Sequence, residues 1–505
     1  MSILQEPEKK PVQDAKSAPK GKSGKPKRVE ARTLKGFQDL LPEAVLPRKA
    51  VIQTIENIFE LFGFVPLESP AMEYLDILLG AGGEGANKEL FRLESPEGEE
   101  IALRFDLTVP FARMLAQYPD QLKAPFRRYA WGPVWRADKP GPGRFRQFTQ
   151  VDIDVAGAPT VAADGEIIAV MCTIMRDLNV PDYTVLINNR KLIDALLLDC
   201  GIDDPNRQKH VLRVIDKRAK VGLDNIRLEF GPGRIDDSGD PIPGVGLDEV
   251  TIDKILAFIA VEASTRVELV EALMPHLSDS KTAQEALDEL RELAATLEAL
   301  GIAEQHARFD PSLARGLDYY TGPVFEMILP KAPEFGSIMG GGRYDGLVSR
   351  FKDQPIPCTG MSVGLDRLMA ALTYLGCVST ERTPVQVLVV SMGNVPKSET
   401  LRLASELRSA GIRTEAFFAS KKKMQMGNQL SHADHYGIPV AVIIGEDELL
   451  QGVVSIKDLH EGKSGRADIA ERDAYMEAGK TGQITVSRND MVAQVRAILG
   501  NQATD

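Results

Sequence analysis

A chain of 505 residues is longer than one hydrophobic core sustains, since cores stop growing near ~250–300 residues, and it divides into about three domains. Its 43% apolar and 26% charged residues are those of an ordinary soluble globular protein, and no stretch approaches the ~20 uninterrupted apolar residues of a membrane span. A net charge of −12 excludes nonspecific coating of nucleic acid but leaves room for a local basic groove.

Residues 1–30 are rich in Lys, Pro, Ser and Gly and too poor in large apolar side chains to bury a core, which predicts a disordered basic tail. Glu6, Glu8 and Asp14 interrupt its lysines, unlike a transit peptide, and it has no signal-peptide apolar core. The four cysteines, Cys172, Cys200, Cys358 and Cys377, are far apart and form no CxxC, which argues against zinc and a disulfide framework and for a reduced, cytoplasmic compartment.

Order begins at LKGFQDLLPE. From Pro47 to Phe62 the apolar residues Val51, Ile52, Ile55, Ile58, Phe59 and Phe62 recur at helical spacing, with Gly63 as a stop. A short strand, FVPLES, ends at Pro70. IALRFDLTVPFARMLA then reads as a strand entering a helix, and alternation puts Arg104, Asp106 and Thr108 on one face. Pro125 to Gly157 reads as two antiparallel strands joined by a Pro/Gly loop, with Gln150, Asp152 and Asp154 sharing a face of the returning strand. Arg136, Asp138, Arg144 and Arg146 flank the loop, and guanidinium forks suit phosphate because they bind bidentately and keep their charge.

A helix from Val161 to Leu178 and a strand from Tyr183 to Asn189 follow. Residues 190–305 read as a helical insertion between two halves of one sheet, broken by a Gly/Pro/Asp loop from Gly231 to Gly246 and carrying no nucleophile or metal cluster. The segment FDPSLARGLDYYTGPVFE, Phe309 to Glu326, then gathers Arg315, a turn-forming Gly-Leu-Asp, Tyr319, Tyr320 and Glu326. In a strand the two tyrosines would face opposite ways, so at most one joins Arg315 unless Gly316 re-aims the chain. GGGRYDGL and GMSVGLDRL follow closely. After Thr383-Pro384, alternating apolar runs and amphipathic helices predict a small α/β domain with a partly parallel sheet. There His432 and His435 lack a third ligand and read as helix surface, and Lys421 to Lys423 place positive charge beside Gln429.

The polar strands supply guanidiniums (Arg136, Arg315, Arg367), acceptors (Asp106, Gln150, Asp154) and two phenols, with no P-loop or Rossmann fingerprint. That suits a small zwitterion beside a polyphosphate better than hydride transfer. Bringing a carboxylate to a phosphate costs ~4 kcal/mol at 4 Å for an effective dielectric near 20, which fixed arginines must offset. Preorganised donors of this kind are worth ~10²–10³ in rate each.

RGLDYYTGPVFE and GGGRYDGL resemble the two signature motifs of histidyl-tRNA synthetases. WRADKPGPGRFRQFTQ resembles class II synthetase motif 2, GMSVGLDRL motif 3, and the first helix and strand up to Pro70 the dimer-forming motif 1. The resemblance implies an α/β (α+β) fold: an antiparallel-sheet catalytic domain in two parts (31–189 and 306–382), a helical insertion (190–305) and a C-terminal anticodon-binding domain (383–505). It implies that Asp106, Thr108 and Gln150 hold the α-amino group of L-histidine, and that Asp154 and Tyr320 address its imidazole with Tyr319 nearby. Arg136 would bridge the histidine carboxylate and the ATP α-phosphate, Arg315 would lie on that phosphate, and Arg367 would hold the far end of the triphosphate. Asp138 and Arg144 complete the implied ATP site. Arg136, Arg315 and Gln150 are the implied catalytic residues, with ATP, Mg²⁺, tRNA(His) and a second copy of the chain as partners and no protein metal site.

Asp106 and Asp154 stand where bacterial relatives often carry Glu. Three alternatives stay open on these residues: a non-catalytic histidine-sensing regulatory paralogue of histidine biosynthesis, an RNA-binding sensor on the same fold, and a class II synthetase for another amino acid.

Overall fold

The computed structural model describes residues 29–81, 87–141, 143–236, 238–314, 319–379, 381–418, 425–460 and 482–502. Residues 1–28 of the basic tail, Arg315 with the Gly316 turn, and Lys421 to Lys423 lie outside the described residues.

A helix at Pro42–Leu61 opens the ordered chain, five residues before the expected start at Pro47. Pro42 accounts for this, because proline at the first helical position is preset for the helix and loses no bond there. Pro47, Val51, Ile55, Ile58 and Phe59 are its buried stripe, and Gly63 at φ 78° ends it. The strand expected at FVPLES shrinks to β1, Val65–Pro66, which pairs parallel to the edge of the main sheet. Strands β2 (Met72–Tyr74), β3 (Arg92–Glu94) and β4 (Glu100–Leu103) form a separate three-stranded sheet in the order β2-β4-β3.

The strand expected to run through Arg104, Asp106 and Thr108 stops at Leu103, and the three side chains do not share a strand face. Arg104 turns away to the carbonyls of Ser69 (2.7 Å) and Pro133 (3.1 Å). Asp106 accepts from the Val109 N–H (3.0 Å) and turns the chain into the helix Thr108–Gln117. A capping carboxylate wins over the period-2 pattern.

The predicted hairpin is present as β5 (Phe126–Trp135) and β6 (Gln147–Ala156), paired over their full lengths. After the helix Ala162–Asp177 and β7 (Thr184–Asn189), the chain leaves the sheet for a run of helices, several started by side-chain caps. Asp204, Asp248 and Ser280 cap three, and Thr265 with Glu268 forms a capping box. The loop at 231–246 holds a small hairpin, β8 (Gly233–Ile235) with β9 (Pro241–Pro243). The helices do not close a core of their own: Leu192, Leu196, Leu290 and Leu293 share one with Ile167 and Ile187.

The chain re-enters the sheet as β10 (Ala307–Phe309), β11 (Pro323–Ile328), β12 (Met339–Arg343) and β13 (Cys358–Gly364). The eight strands lie in the order β1-β5-β6-β13-β12-β11-β7-β10, antiparallel from β5 to β7 and parallel at both margins. Segments on either side of the helical run thus sit next to each other at the centre.

A buried ion pair ties this sheet to its covering helix. Arg343 donates to Asp164 (3.1 and 2.5 Å) and to the carbonyls of Ala158 and Thr160 (both 2.9 Å), while Thr359 donates to the other Asp164 oxygen (2.6 Å).

The C-terminal part is the expected α/β unit. Strands β14 (Val387–Ser391), β15 (Thr414–Ala416) and β16 (Val440–Ile444) are parallel, and β17 (Val453–Asp458) and β18 (Gln483–Ser487) are antiparallel additions, in the order β15-β14-β16-β17-β18. His432 Nε2 is spoken for by Glu415 (2.9 Å), and its ring packs on Phe417 and Tyr436.

Removing one partner of a buried pair leaves an uncompensated charge. Arg343→Met should therefore lower unfolding free energy by about 3–5 kcal/mol in urea titrations, and Arg343→Met with Asp164→Leu should recover most of it. A single variant as stable as the parent would contradict this role.

Candidate active site

The upper face of β6, β12 and β13 carries a cavity of about 320 Å³. Asp106, Thr108, Gln150, Asp154, Tyr319 and Tyr320, expected around an amino acid, line it. So do Arg136, Asp138, Arg144 and Arg367, expected around a polyphosphate. Every expected site residue that the structure describes is therefore in one place.

The two tyrosines both face the cavity because they precede β11 rather than belong to it, so strand alternation does not separate them. Their ring centroids lie 4.9 Å apart, tilted by 58°, and Tyr344 meets Tyr319 edge-on at 5.9 Å. Gly342 makes room for this cluster: a Cβ there would sit 2.8 Å from the Tyr320 ring and 2.7 Å from the Pro323 carbonyl. Gly341 is tighter still, since a Cβ on it would lie 2.0 Å from the Gly360 carbonyl, so β12 and β13 approach as only glycine permits.

Among the cations, Arg136 donates through Nε to the Phe105 carbonyl (3.0 Å) and stacks 5.2 Å above the Phe148 ring, which fixes its plane. Arg367 donates to the Ser337 carbonyl (2.6 Å). Its neighbour Asp366, which also lines the cavity, accepts two bonds from Arg48 (3.0 and 3.1 Å) and one from the Thr149 N–H (2.8 Å). The first helix, the hairpin and the last helix of the sheet thus meet at one carboxylate.

Among the acceptors, Gln150 donates through Nε2 to Ser362 (2.6 Å), which leaves Gln150 Oε1 buried with no hydrogen-bond partner among the described residues. Asp106 Oδ2 is in the same condition, its other oxygen being committed to Val109. Buried acceptors without donors cost free energy, and a ligand carrying several N–H donors would satisfy both.

Around Asp154, Arg128 pairs with one carboxylate oxygen and donates to the Leu107 carbonyl (3.1 Å), while the Tyr344 hydroxyl donates to the other Asp154 oxygen. Burial pushes the Asp154 carboxyl up to about 6 against the opposing pull of Arg128 and Tyr344. Burial likewise raises Asp152 to about 7, with Arg128 and Ser362 working against it and Asp154 reinforcing it. Asp106 is raised by burial too, its bond to Val109 opposing. Neither Arg128 nor Tyr344 belongs to the set expected from the sequence. The hairpin register carries the signal for the first, since β5 and β6 set Arg128 directly opposite Asp154. Glu326, gathered with the two tyrosines in the sequence, lines the cavity too, and Ser362 and Asp366 line it from outside the expected set.

A family model described as histidyl-tRNA synthetase matches residues 36–368, and an anticodon-binding-domain model matches 386–478. The histidine--tRNA ligase of Ruegeria sp. is 42% identical over 505 residues, covering 96% of this chain and 99% of that protein. That of Paracoccus denitrificans is 41% identical over 493 residues, with 94% and 98% covered.

The chain belongs to the histidyl-tRNA synthetase family.

Among solved structures, histidyl-tRNA synthetase from Nostoc sp. superposes with a TM-score of 0.75 at 29% identity, covering 93% of this chain and 100% of that one. A Bacillus halodurans protein titled ATP phosphoribosyltransferase regulatory subunit/histidyl-tRNA synthetase, at 22% identity and a TM-score of 0.67, shares the fold. The cavity accordingly occupies the catalytic domain of a class II synthetase, and the C-terminal unit is the family's anticodon-binding module.

Asp152 gives this synthetase a pH signature. Its folded value lies above the ordinary carboxylate value of about 3.8, so it supports the fold fully at low pH and loses that contribution as pH rises through about 7. Asp152→Asn, which mimics the protonated acid, should match the parent only near ~pH 4 and below, and exceed it by a margin that grows up to about pH 7 and reaches on the order of a few kcal/mol. Melting curves across that range check this, and a stability difference that does not grow with pH would refute it.

Proposed function

We infer that this chain is a histidine--tRNA ligase: it joins L-histidine to ATP as histidyl-adenylate with release of pyrophosphate, then transfers the histidyl group to the 3′ end of tRNA(His) with release of AMP. The observation that carries the reading is one cavity lined both by orphaned buried acceptors, Asp106 Oδ2 and Gln150 Oε1, and by the guanidiniums of Arg136, Arg144 and Arg367. A zwitterionic amino acid fits with its ammonium on the acceptors and its carboxylate directed at the arginines.

On this reading Asp106, Thr108 and Gln150 receive the α-amino group, and Asp154, Tyr319 and Tyr320 surround the imidazole. Arg136, held flat between Phe105 and Phe148, spans the attacking carboxylate and the α-phosphate. The negative charge that builds as the carboxylate oxygen bonds to phosphorus and the phosphoanhydride bond breaks falls on fixed guanidiniums that need no reorganisation. Arg144 and Arg367 take the leaving pyrophosphate, Arg315 joins Arg136 at the α-phosphate, and Asp138 lines the same cavity.

Mg²⁺ accompanying ATP would neutralise phosphate charge. Such an ion is generally carried by phosphate oxygens and water with one or two carboxylates. Glu89 and Asp138 are such a pair: they are hydrogen-bonded to each other beside Arg136 and Arg144, and burial, then Asp138, raises Glu89.

Leu61, Val65, Met72, Tyr74, Leu93 and Trp131, on the first helix, β1, β5 and the small sheet, are exposed, and exposed apolar side chains of this kind support a homodimer. The domain limits proposed are 31–189 and 306–382 for catalysis, 190–305 for the helical part and 383–505 for anticodon binding. No helix among the described residues is long and apolar enough to cross a membrane, and a cytoplasmic location completes the proposal. The regulatory-paralogue alternative is not favoured, because relatives about 40% identical over nearly their whole length are histidine--tRNA ligases.

ATP/pyrophosphate exchange measured with each of the twenty amino acids should respond to histidine alone. Arg136→Ala and Arg315→Ala should each cut the exchange rate by ~10²–10³, and removing residues 383–505 should spare exchange while crippling tRNA charging. Exchange with another amino acid, or none while histidine still binds, would overturn the reading.

A further inference from the structure

Arg128 lies beside Asp154 on the neighbouring strand, 1% exposed, and is not among the residues that line the cavity. Its guanidinium nevertheless joins two parts of the wall. Nη2 pairs with Asp154 Oδ2 and also donates to the Leu107 carbonyl (3.1 Å), the peptide group immediately before Thr108. The same guanidinium sits 4.7 Å over the ring of Phe111, one turn along the helix that Thr108 begins. One side chain therefore fixes both Asp154 and the turn from Asp106 to Thr108.

The neighbourhood explains why a guanidinium is needed there. Asp154 is 2% exposed, and the Cα of Gly360 lies so close to its carboxylate that a Cβ would come within 2.1 Å of Oδ1. The groups facing it are Asp152 on its own strand, Asp106 from the turn, Tyr344 just after β12, Cys358 from β13 and Arg128 from β5. Of these, Arg128 alone is cationic. Tyr344 supplies a neutral donor to the opposite oxygen, so each carboxylate oxygen has one fixed contact and keeps lone-pair capacity toward the cavity.

We propose that Arg128 is a positioning residue for histidine selection: it holds the Asp154 carboxylate, and through Leu107 the turn carrying Asp106 and Thr108, in the arrangement that receives the imidazole and α-amino groups together. This rests on the reading of Asp154 as an imidazole contact. Arg128 itself touches no substrate. A cation held behind the carboxylate also stabilises its ionised form, the form that accepts from an imidazole N–H, in a place where burial would otherwise favour the neutral acid.

The test is steady-state exchange kinetics of Arg128→Leu, Arg128→Lys, Asp154→Asn and the double variant Arg128→Leu/Asp154→Asn. Arg128→Leu should raise the histidine KM by about tenfold or more, the worth of a hydrogen bond to a charged group, with the ATP KM little changed. The ratio of variant to parent KM should fall as pH is raised over roughly 6.5 to 8.5, because Asp154 then regains its charge without Arg128. The ionisation of free histidine cancels in that ratio. Arg128→Lys keeps the charge and should show a smaller, pH-independent rise, and it carries the test should Arg128→Leu not be recovered folded. The double variant, with both charges gone, should show a raised histidine KM without the pH-dependent recovery.

A purely structural role would move the histidine KM, the ATP KM and kcat together at every pH, and that result would overturn the proposal. So would a double variant that recovers with pH as Arg128→Leu does, since Asp154 would then not be the mediator. If Asp154→Asn leaves the histidine KM unchanged, the reading of Asp154 fails. If Asp154→Asn raises it and neither Arg128 variant does, the proposal about Arg128 fails alone.

Discussion

Carboxylates buried at the centre of a sheet are the constraint on which this catalytic domain is built. Asp152 and Asp154 on β6, with Asp106 facing them from the turn before the helix, are each at most 3% exposed, and a desolvated carboxylate persists in its charged form only where a fixed cation or several donors face it. Arg128 answers that need for Asp154, and Gly360 makes the space that the carboxylate occupies. The antiparallel register follows from the same requirement, because β5 and β13 must set Arg128 and Gly360 beside Asp154 on its two sides. A slip of one residue on either strand would turn those side chains to the other face.

The cations depend on a longer chain of contacts. Arg136 and Arg367 are aimed by backbone carbonyls, and Asp366 beside Arg367 is gripped by Arg48 from the first helix and by the Thr149 N–H from the hairpin. Its side chain is 6% exposed, which makes this pair far less screened than a surface ion pair. The first helix therefore does more than cover the core with its apolar stripe. It sets the position of the helix that presents Arg367, so the same element that carries exposed apolar surface at Leu61 also reaches a residue that lines the cavity.

Much of the site is legible in the sequence because the residues that line the cavity sit in short motifs whose chemistry is local. The hairpin can be read from its Pro/Gly loop, and period-2 alternation correctly puts Gln150, Asp152 and Asp154 on one face. Where alternation fails, a short-range competitor explains it. Asp106 caps a helix start and ends the strand early, and Tyr319 and Tyr320 lie before β11. Arg128 and Tyr344 escape for a different reason: what gives them meaning is a partner, Asp154, reached only through strand pairing and a crossing of the sheet. The shared core of the helical segment is illegible in the same way, since amphipathic periodicity says that a face is buried but not against what.

Discrimination follows from the same buried polar groups. An apolar pocket separates amino acids by only ~1–3 kcal/mol per methylene, whereas a site built to pair with specific N–H groups penalises any ligand that leaves its acceptors unsatisfied, giving ~10⁴–10⁵. Here the penalty is already visible without a ligand: Asp106 Oδ2 and Gln150 Oε1 are buried and unpartnered among the described residues, and Asp154 is kept out of water by Gly360 and Tyr344. Each such acceptor costs about 1–3 kcal/mol until a donor arrives. The fold accepts that cost because the surrounding sheet and its ion pairs hold the groups in place, and the ligand that relieves it is the one whose donors match all of them at once. Selectivity in this cavity is thus a property of groups that the empty protein leaves unsatisfied, which is why it needs the rigid support that Arg128 and the central strands provide.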